Sequence, residues 1–128
     1  MLKIVPVYAA ILALIFVALS LRVIAMRRLS KLPLGFQGDV ILERRVRVQG
    51  NFSEYVPLAL LLMTFVEMRG TAPLLLHAMG ALLIAGRLAH AYGVSQIHES
   101  FAFRVTGMAL TFTAILVAAL AILIQALW

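Results

Sequence analysis

Glu43-Arg44-Arg45-Val46-Arg47-Val48-Gln49-Gly50-Asn51-Phe52-Ser53-Glu54-Tyr55-Val56-Pro57 decides how this chain must fold, because a strongly polar stretch runs without a break into the apolar run Tyr55 to Val66. On a helix, Arg47, Asn51, Glu54 and Leu58 fall at i, i+4, i+7 and i+11 and share one face, with Arg44 a turn below. The apolar run is about half of the roughly 20 residues that a helix needs to cross a bilayer core. If the segment spans, its polar face goes in with it. A charged side chain near the bilayer centre costs at least about 2.5 kcal/mol, so such residues face a protein interior or a wet cavity and mark function.

Outside this stretch the chain is nearly all lipid-soluble. Its 128 residues are 64% hydrophobic and 12% charged, with a mean hydropathy of +1.07, the profile of an integral membrane protein with a single domain, residues 1–128. The net charge is +6, and the basic residues crowd between Arg22 and Arg47. That placement suits loops beside anionic headgroups and argues against nucleic acid as a partner. The chain has no cysteine, which excludes a disulfide framework, a thiolate metal site and a protein thiol nucleophile. Any thiol chemistry must use a thiol that the substrate carries, and no metal-ligand spacing is present among His77, His90 and His98.

Hydropathy predicts four spans, at about residues 4–24, 40–66, 72–92 and 101–128. Lys3 and Ala18-Leu19-Ser20 offer a signal-peptide reading of the first, but its apolar run is long for that purpose and a basic stretch follows. The first connection, about Met26 to Val40, carries Arg27, Arg28 and Lys31 and the breakers Pro33, Gly35 and Gly38. Asp39 is the expected N-cap of the second helix, and Pro57 predicts a kink just beyond Glu54. Ala81, Ala85, Ala89 and Gly93 form a small-residue ridge that permits close helix approach, and Trp128 fits an interfacial anchor. The basic residues of the first and third connections place both in the cytoplasm, with the termini periplasmic.

The polar residues then converge by depth. Arg22, Arg47, Asn51, Glu54, Arg87, His90 and Arg104 all belong to the cytoplasmic half. Several fixed guanidinium groups there suit bidentate binding of an anionic or zwitterionic ligand. One helix hairpin cannot shield so many charges, so an oligomer with sites between subunits is the economical solution.

Arg47-Val-Gln-Gly-Asn51-Phe-Ser-Glu54-Tyr55-Val-Pro57 resembles the second-helix signature of the MAPEG superfamily, the membrane-associated proteins of eicosanoid and glutathione metabolism. Gly86-Arg87-Leu-Ala-His90-Ala-Tyr92-Gly93 resembles the third-helix motif of its short bacterial members, and the likeness covers essentially the whole chain. The resemblance implies an all-α integral membrane protein: a four-transmembrane-helix bundle of left-handed up-down topology, assembled as a homotrimer in a bacterial inner membrane. It implies glutathione as co-substrate, held between subunits at the cytoplasmic side. By motif position Arg47, Asn51, Glu54 and Tyr55 look like glutathione contacts, Glu54 facing the amino group and Arg47 the carboxylates, with Arg87 and His90 in the same binding set. Arg104, in Arg-Val-Thr-Gly, looks like the catalytic arginine that stabilises the glutathione thiolate. Such an arginine lowers the thiol pKa by favouring the charged form. The implied activity is conjugation of glutathione to hydrophobic electrophiles, or their reduction with it.

One departure matters. The eicosanoid-making members carry tyrosines along the third helix after the arginine, whereas here His90 follows Arg87 and Tyr92 is the tyrosine nearby. An eicosanoid substrate is therefore not implied, and a non-catalytic lipid-binding or scaffold role of the same fold is the alternative. A small four-span drug exporter fits the size, but its coupling carboxylate would have to be Glu54, set among arginines that repel a cationic substrate.

Overall fold

The computed structural model describes residues 2–127 and folds them into four helices: α1 (Val5–Ser30), α2 (Val40–Met68), α3 (Pro73–Ser95) and α4 (Phe101–Leu127). The all-helical expectation holds. By length and composition α1, α3 and α4 are apolar enough to cross a membrane. The charged first half of α2 keeps that helix outside this set, although its 29 residues extend about 43 Å at 1.5 Å per residue.

The helix ends follow local chemistry. α1 continues past the apolar run to Ser30, beyond the expected boundary at Ile24, because residues 25–30 contain no breaker and Arg27 and Arg28 favour the negative end of the helix dipole. It stops where Lys31 turns left-handed, at φ 54°, and bonds its N–H to the Arg27 carbonyl. Arg27 then donates to the carbonyls of Leu32 and Gly35, both at 3.2 Å, holding the first connection in place. Asp39 caps α2 as its sequence predicts, accepting the Leu42 N–H at 3.0 Å while its other oxygen takes the Ser30 hydroxyl. The Ser30 hydrogen bond, then that of Leu42, holds this carboxyl below its ordinary range. α2 runs on through Pro57, whose missing N–H leaves the Ser53 carbonyl without its usual helical partner. The expected anchor Trp128 lies outside the described residues.

The core is a seam of helix faces. α2 buries Val48, Phe52, Val56, Ala59, Met63 and Val66, a 3.6-residue stripe, and Phe52 stacks on Phe16 of α1 with centroids 5.8 Å apart. α1 buries only Val5, Leu12 and Leu19, one residue every seven. Its outer face stays apolar and exposed at Leu14 and Val17, as does α4 at Leu116 and Leu120, the surface of a protein solvated by lipid.

Within the chain, close helix approach uses the last member of the ridge read in the sequence, Gly93, and not its first two. Ala81 and Ala85 point outward, and the tight seam between α3 and α4 is built on Gly86, Gly93 and Gly107. A Cβ on Gly86 would stand 2.8 Å from both the Gly107 carbonyl oxygen and Thr111 Oγ1, and one on Gly93 would stand 2.7 Å from the Arg104 amide nitrogen. Backbone-to-backbone contact of this kind is how helices associate where lipid removes the hydrophobic drive. It also brings the start of α4, with Arg104, against the end of α3.

Candidate functional site

The first and third connections meet at one end of the bundle, around a cavity of about 690 Å³. That volume lies within the roughly 300–1,000 Å³ of small-molecule sites. One face of α2 supplies Arg44, Arg47, Gly50, Asn51 and Glu54; α3 adds His90 and Val94, the third connection Glu99 and α4 Arg104. The polar face counted from the sequence is therefore the wall of a single cavity.

The predicted residues divide by depth. Arg47 and Glu54 are exposed in the cavity and make no hydrogen bond or ion pair within the chain among the described residues. His90 is buried and lines it. Arg87 does not: it is 2% exposed and lies behind the wall. Its Nη1 donates to Asn51 Oδ1 at 2.7 Å, its Nε to Thr111 Oγ1 at 3.0 Å and its Nη2 to Met108 Sδ at 3.4 Å. Thr111 passes the chain on, donating to the Gly107 carbonyl at 2.8 Å. Tyr55 also stays outside the lining, edge-on to Phe112 with centroids 5.4 Å apart and with the Arg87 guanidinium 5.9 Å from its ring centre.

This arrangement fixes the orientation of Asn51. A guanidinium only donates, so the amide oxygen must face Arg87 and the amide NH2 is left as a donor. Arg87 therefore meets the cavity wall through Asn51.

Arg104 is not free. Its Nη1 donates to Glu99 Oε1 at 2.7 Å, and the second Glu99 oxygen lies 3.7 Å from Arg44 Nη1. The hydrogen bond from Arg104, together with the charges of Arg104 and Arg44, holds the Glu99 carboxyl below its usual range although partial burial opposes the shift. Arg44 also donates to the Val94 carbonyl at 3.1 Å. Glu99, Val94 and Phe36 were not singled out in the sequence, since none sits in a motif. Arg44 did carry a signal, one turn below Arg47 on the same face.

The class defined by these features is a helical membrane protein with a charged, ligand-sized cavity at one end of its bundle. The MAPEG family model matches residues 5–124, nearly the whole chain, and the protein belongs to that family. It is similar to Inner membrane protein YecN of Escherichia coli strain K12, 38% identical over 114 residues that cover 89% of this chain and 86% of the relative. The same figures hold for Inner membrane protein YecN of Escherichia coli O6:H1 strain CFT073.

Proposed function

We propose that the cavity binds glutathione and that the protein conjugates this thiol to small hydrophobic electrophiles, or reduces them with it, at the cytoplasmic face of a bacterial inner membrane. The observation that carries the reading is the pair Arg47 and Glu54, opposite charges on one helix face, exposed in the cavity and without partners inside the chain among the described residues. A zwitterionic peptide supplies what they lack: carboxylates for Arg47, an ammonium for Glu54, and a carbonyl or carboxylate oxygen for the oriented amide of Asn51. Arg104 faces the thiol. As the thiol loses its proton to water, the guanidinium stabilises the thiolate, whose sulfur forms the new bond to the electrophilic carbon while a leaving group departs or an activated double bond takes up a proton.

Four spans and a homotrimer complete the proposal. α2 packs against α1, α3 and α4 and buries residues from Leu42 to Val66, which supports its crossing with them in spite of its polar face. The outward alanines Ala81 and Ala85 offer a surface on which a second copy can pack closely, and the cluster Arg22, Arg27, Arg28 and Lys31 near the cavity end supports a cytoplasmic location. Calorimetry on detergent-purified protein, with thiolate absorbance followed on the same sample, tests the reading. Saturable glutathione binding, lost in Glu54→Ala, with turnover lost in Arg104→Ala, is the expected result; no binding at millimolar glutathione overturns it.

The pairing of Arg104 with Glu99 favours a second reading, a lipid-binding member without turnover, because an arginine already neutralised is a weaker thiolate partner. Saturable affinity for fatty-acid-like ligands with no thiol-dependent chemistry identifies that case.

A further inference from the structure

The cavity contains an acid that belongs to neither family-like motif. Glu99 stands in the connection between α3 and α4 and faces arginines from two different helices, Arg104 at 2.7 Å and Arg44 at 3.7 Å. Its backbone surroundings are anchored: Ser100 N–H bonds the Gly93 carbonyl at 3.2 Å and Arg104 N–H bonds the Ser100 carbonyl at 3.1 Å. Arg44 carries a further sign of an incomplete site, since its Nε is buried and has no acceptor among the described residues. A buried donor without a partner is costly, and a ligand oxygen at this wall would remove that cost.

We propose that Glu99 is a built-in counter-ion, occupying the anion position between Arg44 and Arg104 until a carboxylate or thiolate of the ligand displaces it. The inference rests on reading the cavity as an anionic-thiol site and adds what sets its selectivity. A carboxylate held by two guanidinium groups is a chemical copy of the group that replaces it. The pair is also held loosely enough to exchange, because the side chains of Arg104 and Glu99 are 51% and 27% exposed and water screens them. A neutral or cationic thiol cannot make the exchange and is turned away. An anionic one releases Glu99 to water and takes both arginines. The remaining charged or titratable groups of the cavity, Glu43, Arg47, Glu54 and His90, hold no hydrogen bond or ion pair to Glu99, so the direct contacts to be exchanged are those of this triad, with His90 near enough to feel the charges of Glu99 and Arg104.

Glu99→Gln tests the inference, with two readouts on detergent-purified protein. The first is the rate at which a dicarbonyl arginine reagent modifies Arg104, followed by peptide mass spectrometry, which needs no ligand. The second is glutathione affinity by calorimetry. The expected result is faster modification of Arg104 in the variant and glutathione binding tighter by up to about fivefold, the scale of an exposed ion pair. Unchanged modification means the pair is not closed in solution and overturns the proposal. Faster modification with equal or weaker glutathione binding also overturns it, because Glu99 would then be bystander or ligand contact. If Arg104 reacts faster but neither protein binds glutathione, the counter-ion stands, the glutathione reading fails, and a competition series of simple carboxylates against the reagent must protect Arg104 more in the variant than in the wild type.

Discussion

The two ends of the bundle differ in how far the fold takes up their charged side chains. At the end formed by the chain start, the second connection and the last turn of α4, Glu67 accepts the N–H groups of Lys3, Ile4 and Val5 at 2.6–2.7 Å and so caps the entry to α1. Arg69 donates to the Gln125 carbonyl at 2.8 Å, and Gln125 donates its amide to Thr71 at 2.6 Å. These polar groups are taken up by the fold, save Gln125 Oε1, which is buried with no partner among the described residues. At the other end Arg47 and Glu54 are left without partners in the chain among the described residues, and Arg44, Glu99 and Arg104 hold one another only through a partly exposed triad. Truncating Arg47 or Glu54 therefore removes no hydrogen bond or ion pair within the chain among the described residues.

The contrast can be broken at the seam that both ends share. Gly86→Val places side-chain atoms where the Gly107 carbonyl and Thr111 already stand, so α3 and α4 must separate; a loss of about 3 kcal/mol or more is expected, read as loss of folded protein in a detergent denaturation series. Both ends should fail together. Glu67→Ala acts on one end only, uncapping α1 at a cost of about 1–3 kcal/mol while glutathione affinity stays unchanged, with denaturation and calorimetry reporting separately.

The opposite pattern is expected at the cavity. Arg47→Ala or Glu54→Ala should leave stability within about 0.5 kcal/mol of the parent, because neither side chain has a partner to lose among the described residues. Glutathione binding should weaken at least about tenfold, a change of about 1.4 kcal/mol. A stability loss as large as that of Glu67→Ala would mean that these residues also build the fold, and the contrast between the two ends would disappear. The smallest effect concerns acid. A carboxyl whose pKa is depressed in the folded state stabilises above its ordinary value of about 4.3 and loses that contribution as pH falls through the folded value. The connection bearing Glu99 should therefore open in acid, seen as faster hydrogen exchange across residues 96–100, and Glu99→Gln should show the open behaviour already at neutral pH.

Much of this was legible one residue at a time. The spacing of Arg47, Asn51 and Glu54 fixed their common face because a helix repeats every 3.6 residues whatever surrounds it. Asp39 announced its cap for the same local reason. The small-residue ridge was right at Gly93 and not at its first two members, because a repeat of small residues marks any face, inward or outward, and only packing shows that Ala81 and Ala85 look out of the chain while Gly86, Gly93 and Gly107 meet. Arg87 read as a ligand contact since its motif sits beside His90, yet it turns into the bundle to hold Asn51 and Thr111.

By itself the amino-acid sequence determined that this is a helical membrane protein, which of its helices carry apolar faces, and which charges one face of α2 presents. Those properties depend on composition and on periods of a few residues. Tertiary structure alone decided which charges remain free: Glu99 meets Arg44 across 55 residues of chain, and Arg87 meets Asn51 across 36. No local pattern encodes a pairing at that separation, because it exists only once glycine backbones have brought α3 against α4 and set both beside α2.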